Sequence, residues 1–258
     1  LSNPRAIEIA DEGFRSRFEG LPRIIGSWVE SVIDLSTASV LDFGCGEGVT
    51  ALGMILKNRA RKLWAVDIMP DVDNCRARAR EHLGLESLPD NLYLQRIEPG
   101  ADFAHGEQFD LIYSWSVFEH VEQSLLAGVL AQLRSKLRRG GHLFIQIAPL
   151  YYSADGSHLF HRIPEPWGHL ANQHSAYYAK LCNACDSKDE VAALWSCYEW
   201  LNQITAPQLK RALTQAGFDV IREYFTVSEY TPPAGLLEIF VEDVLRTNQV
   251  VYLCRAAE

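Results

Sequence analysis

No apolar run in this 258-residue chain approaches the roughly 18 residues needed to span a bilayer, so a transmembrane helix is not expected. Leu1 to Glu12 mix acids with apolar residues and lack the basic-then-apolar pattern of a secretory signal. Basic residues are in deficit: the net charge is −9, which argues against nucleic acid, whose phosphates need a basic surface. Arg76-Ala77-Arg78-Ala79-Arg80, beside Asp71, Asp73 and Glu81, reads as a solvated helix face. The six cysteines, at 45, 75, 182, 185, 197 and 254, show no disulfide-framework spacing, and a reducing cytoplasm is expected. Cys45 and Cys254 read as small buried hydrophobes. Repeats, linkers and low-complexity tracts are missing too. With 48% hydrophobic and 22% charged residues, the chain has the composition of an ordinary globular protein with a full core.

What is present begins with Asp42-Phe43-Gly44-Cys45-Gly46-Glu47-Gly48, which follows the apolar run Ser39-Val40-Leu41. The pattern predicts a buried strand, a glycine turn and a helix over 49–58. Glycines there admit positive φ and close approach of a ligand, and a nucleotide-like cofactor is the expected occupant of such a strand end. A dinucleotide fingerprint is G-x-G-x-x-G/A; here the order is G-x-G-x-G, with Val49 in the third small position. Carboxylates at Asp42 and Glu47 would repel a pyrophosphate and favour a cation. S-adenosylmethionine (SAM), an ammonium and a sulfonium without phosphate, meets that requirement.

Lys62 to Asp67 is a second buried-strand pattern, its acid 19 positions beyond Gly48 and suited to both hydroxyls of a ribose. Further strands are expected over 91–95, 109–114 and 141–147, the last preceded by a helix over 123–137 and a turn at 138–141. Strands alternating with helices indicate βαβ units and a parallel sheet.

The chain resembles the class I SAM-dependent methyltransferases through LDFGCGEG (41–48), WAVD (64–67), FDLIYSWSVFEHV (109–121), LRRGGHLFIQ (137–146) and LKRALTQAGFDVIRE (209–223). The resemblance implies an α/β fold: a doubly wound, seven-stranded, mostly parallel sheet whose last strand, 248–255, is antiparallel. An N-terminal helical lid (1–36, with helices over 5–34 broken near Gly20-Leu21-Pro22) would precede a cofactor-binding half (37–150). A helical substrate-binding insertion (151–205) and a C-terminal helix with strands (206–258) would complete one domain. It implies that Gly44, Cys45, Gly46 and Gly48 cradle the methionine end of SAM and that Asp42 orients its ammonium. Asp67 would take the ribose hydroxyls, Ile68 the adenine and Glu98 the adenine amino group, with Ser114 also at the cofactor. Pro99-Gly100 after Glu98 interrupt the family's usual spacing.

Residues 151–205 fall outside the core pattern. They hold four of the eight histidines and nine of the 27 aromatics, but only Arg162, Lys180 and Lys188 as cations. Such a wall suits an uncharged small molecule, with Tyr151, Tyr152, Trp167 and His169 as its expected contacts. Parts of it resemble bacterial methyltransferases of natural-product or saccharide pathways. An oxygen acceptor needs a base, most often His; His158 is the first candidate, then His161, then His120. Cys182-Asn183-Ala184-Cys185 has zinc-like spacing, but a second ligand pair is missing and no metal is expected. Alternatives are a SAM-binding assembly protein without turnover and a nicotinamide-dependent oxidoreductase. The N-terminal apolar positions, Ile7 to Val29, could serve a homodimer as readily as a lid.

Overall fold

Runs of buried apolar residues that end in acids become adjacent strands, and this alone sets the centre of the molecule. The computed structural model describes residues 9–257; Ile7 and the start of the expected N-terminal helix lie outside them. The strands are β1 Ser39–Phe43, β2 Lys62–Asp67, β3 Leu92–Arg96, β4 Phe109–Trp115, β5 Leu137–Ile147, β6 Phe218–Val227 and β7 Thr247–Ala256. They form one sheet in the order β3-β2-β1-β4-β5-β7-β6. β2 and β4 lie parallel on either side of β1, β3 is parallel to β2, and β7 is antiparallel to β6. The expected α/β sheet with an antiparallel last strand is therefore what the chain builds.

The helices are α1 Glu12–Arg15, α2 Leu21–Val29, α3 Val49–Leu56, α4 Cys75–Leu83, α5 Gln123–Lys136 and α6 Gly168–Ala171. They continue with α7 His174–Ala184, α8 Lys188–Glu199, α9 Ala206–Gln215, α10 Ala234–Leu237 and α11 Glu242–Arg246. Three boundaries differ from expectation. The path over Ser16–Gly20 stays helical as a π-turn rather than breaking, because Pro22 sits at the start of α2, where no N–H is needed. α3 stops at Leu56, and Arg59 turns back with φ 59°. β5 begins at Leu137, before the expected turn, and Arg138 there holds both Asp110 carboxylate oxygens at 2.8 and 2.6 Å.

The chain divides into two compact units. The first comprises residues 9–115 and 135–144 of the described chain. Its core element is α3, Val-Thr-Ala-Leu-Gly-Met-Ile-Leu, apolar all round and buried from Val49 to Ile55. Phe18, Ile25 and Val29 are buried, and Trp28 meets the Phe144 ring edge-on at 5.7 Å. α3 approaches the π-turn so closely that a Cβ on Gly53 would lie 2.1 Å from the Phe18 carbonyl oxygen and 2.6 Å from Pro22 Cγ. Gly53→Ala is therefore expected to destabilise by about 3 kcal/mol, the upper end of ordinary overpacking. Gly128→Ala on α5, where a Cβ meets nothing within 4 Å, should stabilise by up to about 1 kcal/mol. Urea unfolding of the two variants checks the contrast; equal effects would contradict the packing described.

The second unit comprises 116–134 and 145–257. α7 and α8 enclose a cluster of Leu159, Ile163, Tyr177, Leu181, Val191, Tyr198 and Leu201, so the expected helical insertion folds around a core of its own. α9 starts with a capping box, in which the Thr205 hydroxyl accepts the Gln208 N–H and the Gln208 side chain accepts the Thr205 N–H.

Candidate functional site

In the first unit, β1 delivers Asp42 into the interior, only 3% exposed. Its register partner on β4 is Tyr113, whose hydroxyl donates to Asp42 Oδ2 at 2.8 Å. Burial pushes the Asp42 carboxyl up to about 8; the Tyr113 bond opposes that shift and the nearby Asp67 charge adds to it. After β1 the chain turns through Gly44, Gly46 and Gly48, all at positive φ. At Gly48 a Cβ would press on Cys75 Sγ at 3.1 Å, so glycine is needed there on two counts. At Gly46 a Cβ would meet nothing within 4 Å, leaving open space beside the turn.

Four N–H groups of the turn, those of Gly44, Cys45, Gly46 and Gly48, are already engaged. Gly44 and Cys45 donate to the Val66 carbonyl at 2.9 and 3.1 Å, and Gly48 to the Cys45 carbonyl at 2.9 Å. Gly46 donates to Asp67 Oδ2 at 2.7 Å, while Met69 donates to Asp67 Oδ1 at 2.8 Å. A pyrophosphate needs free N–H donors; with these four engaged and Asp42 and Asp67 buried beside them, the turn suits an ammonium and ribose hydroxyls. The residues thus fit SAM.

Glu47 does not act as read from the sequence. Arg17 reaches it at 2.8 Å and Arg78 at 2.7 Å. Burial works against its charge, but the two guanidinium hydrogen bonds prevail and hold the carboxyl below its ordinary range. Its charge is neutralised within the protein, and the Arg78 of the supposed solvated face is one of the cations responsible. Cys45 is only partly buried by exposure, and its thiol is pushed well up by desolvation and the two aspartates. Ser114 is buried and donates to the Phe43 carbonyl at 2.9 Å. Ile68 and Glu98 are exposed.

In the second unit, His120 and His158 stand edge to face with ring centroids 5.4 Å apart. His158 has φ 61°, and its Nε2 lies 3.1 Å from the Pro149 carbonyl oxygen. A carbonyl only accepts, so Nε2 carries the proton and Nδ1 keeps the basic lone pair. Burial lowers the His158 imidazole, against the Pro149 bond and Asp155. Burial, then the charge of His158, lowers His120 to about 4. His161 is exposed. His169 is buried, its Nε2 2.6 Å from the Tyr151 carbonyl oxygen and its Nδ1 without a partner; burial takes it down to about 4. Trp167 is a core residue: its indole N–H donates to the carbonyls of Tyr152 at 3.0 Å and Leu245 at 3.2 Å. Tyr151 approaches Tyr198 hydroxyl to hydroxyl at 3.5 Å. Tyr152 lines a small cavity of about 110 Å³ together with Leu150, Ile204, Pro207, Phe225 and Val244.

Several residues escaped sequence reasoning. Asn202 clamps the loop that carries His120, donating its N–H to the Glu119 carbonyl at 2.8 Å and its amide to those of Phe118 and Val121 at 2.5 and 2.6 Å. Glu119 is buried, neither carboxylate oxygen has a partner, and burial pushes it up to about 8. Nothing in the linear pattern marks either residue. Tyr113 did have a signal: a tyrosine in a buried strand requires a partner for its hydroxyl. Cys182 lies on α7 and Cys185 just beyond it, all six cysteines are free, and among the described residues no three His, Cys, Asp or Glu side chains gather as metal ligands. No helix among the described residues is long and apolar enough to cross a membrane.

No curated protein matches the chain at a significant level. Solved structures do, by fold. Magnesium protoporphyrin IX methyltransferase from Synechocystis, with bound S-adenosylhomocysteine, superposes with TM-score 0.55 at 12% identity, over 99% of this chain and 90% of that one. A SAM-dependent methyltransferase from Clostridium acetobutylicum gives TM-score 0.56 at 13% identity, over 96% and 93%. The [4+2]-cyclase SpnF gives 0.56 at 16%, over 92% and 80%. The family described as a methyltransferase domain matches residues 18–223. With most of the chain inside that match and an acidic glycine turn at the end of β1, the protein belongs to the class I SAM-dependent methyltransferases.

Proposed function

We propose that this enzyme transfers the SAM methyl group to an oxygen of an uncharged small molecule, with His158 as general base. The cofactor supplies a methyl group already activated by its sulfonium. Asp42 would hold the ammonium of SAM, and the carboxylate of Asp67, already braced by Gly46 and Met69, would accept the ribose hydroxyls. The His158 Nδ1 lone pair would take the acceptor's hydroxyl proton as the new C–O bond forms. His120 is a poorer base at neutral pH, being far less basic than an ordinary imidazole.

The observation that carries the cofactor half is the glycine turn, four of whose N–H groups are engaged within the protein while Asp42 and Asp67 lie buried beside it. The acceptor half rests on the insertion's chemistry. Arg162 is bonded to Glu190, and Lys180 to Glu165 at 2.5 Å, so neither is free for an anionic acceptor. Tyrosine, tryptophan and histidine rings of the insertion pack against one another, and Tyr151, Tyr152 and His169 are proposed to contact the acceptor.

Calorimetric titration of the cofactor-stripped protein tests the reading, with SAM and S-adenosylhomocysteine as ligands and NAD as control. Micromolar binding of the first two with no response to NAD is expected. Absence of binding to either would overturn the cofactor assignment for this chain. Binding without turnover across a panel of hydroxylated acceptors would favour the assembly-protein reading instead.

A further inference from the structure

Eight of the seventeen large apolar side chains exposed among the described residues fall between positions 221 and 241, all in the second unit. Four of them, Ile221, Tyr224, Phe225 and Val227, are on β6, which is the edge strand of the sheet. Every residue from Ile221 to Phe225 is exposed, whereas β7 beside it is buried from Val250 to Cys254. The segment after β6 is anchored by one set of side chains and displays another. Leu236 and Leu245 pack with Ala154 and Trp167, and Phe240 packs against them. Leu237, Ile239 and Val241 point away, Ile239 being 72% and Val241 70% exposed.

An exposed edge strand is a template for another strand, and folded proteins usually shorten it, charge it or cover it. This one is ten residues long and largely apolar. Its charges are mostly compensated within the chain. Glu223 is held by Lys210 at 2.7 Å, Asp219 by Arg255 at 3.9 Å and, beyond the strand, Glu242 by Arg246 at 3.4 Å. At 39% to 72% exposure each, the seven of these on β6 and residues 237–241 present on the order of 700 Å², close to what each partner contributes to a stable interface and far more than single scattered hydrophobes require.

We infer that β6 and residues 237–241 form the interface of a symmetric homodimer, in which β6 pairs with β6 of a second copy. A two-fold axis normal to the sheet makes the two strands antiparallel, continuing the antiparallel arrangement begun by β7 and β6. One patch then meets itself, the usual form of a two-fold contact. The N-terminal helices expose less: Ile24 and Val32 are the only large apolar side chains of residues 9–38 on the surface. Residues 218–247 carry six carboxylates against two cations, Arg222 and Arg246, so like charge opposes association modestly and salt should tighten it.

Sedimentation equilibrium of the full chain over micromolar concentrations tests this. A dimer is expected, tighter at high salt than at low. Ile239→Asp with Val241→Asp should weaken it more than about 30-fold, as should Tyr224→Lys with Val227→Lys. All four positions are exposed, so the variants should fold, and circular dichroism with SAM titration checks that they do. A monomer at every concentration, or a dimer indifferent to both double variants, would overturn the inference. Sensitivity to the 239/241 pair alone would overturn the strand pairing.

Discussion

Replacing Asp42 with Asn should weaken SAM binding by about 10- to 100-fold, the worth of a charge-assisted hydrogen bond to an ammonium. It should also remove a pH dependence that the wild-type protein shows. In the free protein burial keeps Asp42 protonated up to about pH 8. Binding an ammonium requires the carboxylate, so SAM binding expels a proton below that pH. Wild-type affinity should therefore climb nearly tenfold per unit between pH 6 and about 8. Above that it should level and then fall, because the α-amine of the ligand loses its own proton at about pH 8.

The stability of the ligand-free protein carries the opposite sign. Asp42 titrates higher when folded than when unfolded, where 3.8 is its ordinary value. The folded state thus binds the extra proton between those values. Stability from this group is complete below about 4 and is lost as the pH rises through 8. The Asn variant, with no charge to bury, should melt higher than wild type at pH 8–9 and bind SAM worse. Calorimetry across pH and thermal melts without ligand measure both halves. An Asn variant that binds SAM with wild-type affinity and slope would remove Asp42 from the cofactor site.

The second large effect concerns turnover. His158→Gln should lower kcat by about 10²- to 10⁴-fold, the usual contribution of a positioned general base. Glutamine can still donate an amide N–H to the Pro149 carbonyl, so the loop should keep its shape and SAM affinity should change little. Since burial lowers the His158 imidazole below 6.5, the free base is the prevailing form at neutral pH. With SAM saturating, the wild-type kcat should be flat around neutrality and decline only on the acid side. His161→Ala, at an exposed position, should cost much less. Unchanged turnover in His158→Gln, with SAM bound, would transfer the role of base elsewhere.

Much of this was legible in the chain because the relevant information is local. β1, β2 and β4 are short apolar runs bounded by turn residues, and runs of that kind alternating with helices are the mark of a parallel sheet covered on both faces. The glycines and Asp42 declare a turn and a buried acid within seven consecutive residues. Glu47 shows where such reading fails: its neighbours in sequence suggest an open carboxylate, yet its charge is compensated by Arg17, 30 positions away, and Arg78, 31 positions away. The Asn202 clamp on residues 118–121 spans more than 80 positions. His169 and Trp167, which look alike as polar aromatics, diverge because both indole-acceptor contacts are made while one imidazole nitrogen stays unmatched.

The sequence by itself determined the fold class, the cofactor and the acidic glycine turn, since hydrophobic period, chain-local turn chemistry and carboxylate spacing are properties of neighbouring residues. Only the tertiary structure decided which carboxylates are neutralised, which histidine nitrogen keeps a lone pair and which edge of the sheet stays open. Those depend on desolvation and on partners brought together from distant positions, and neither is encoded in any short stretch of the chain.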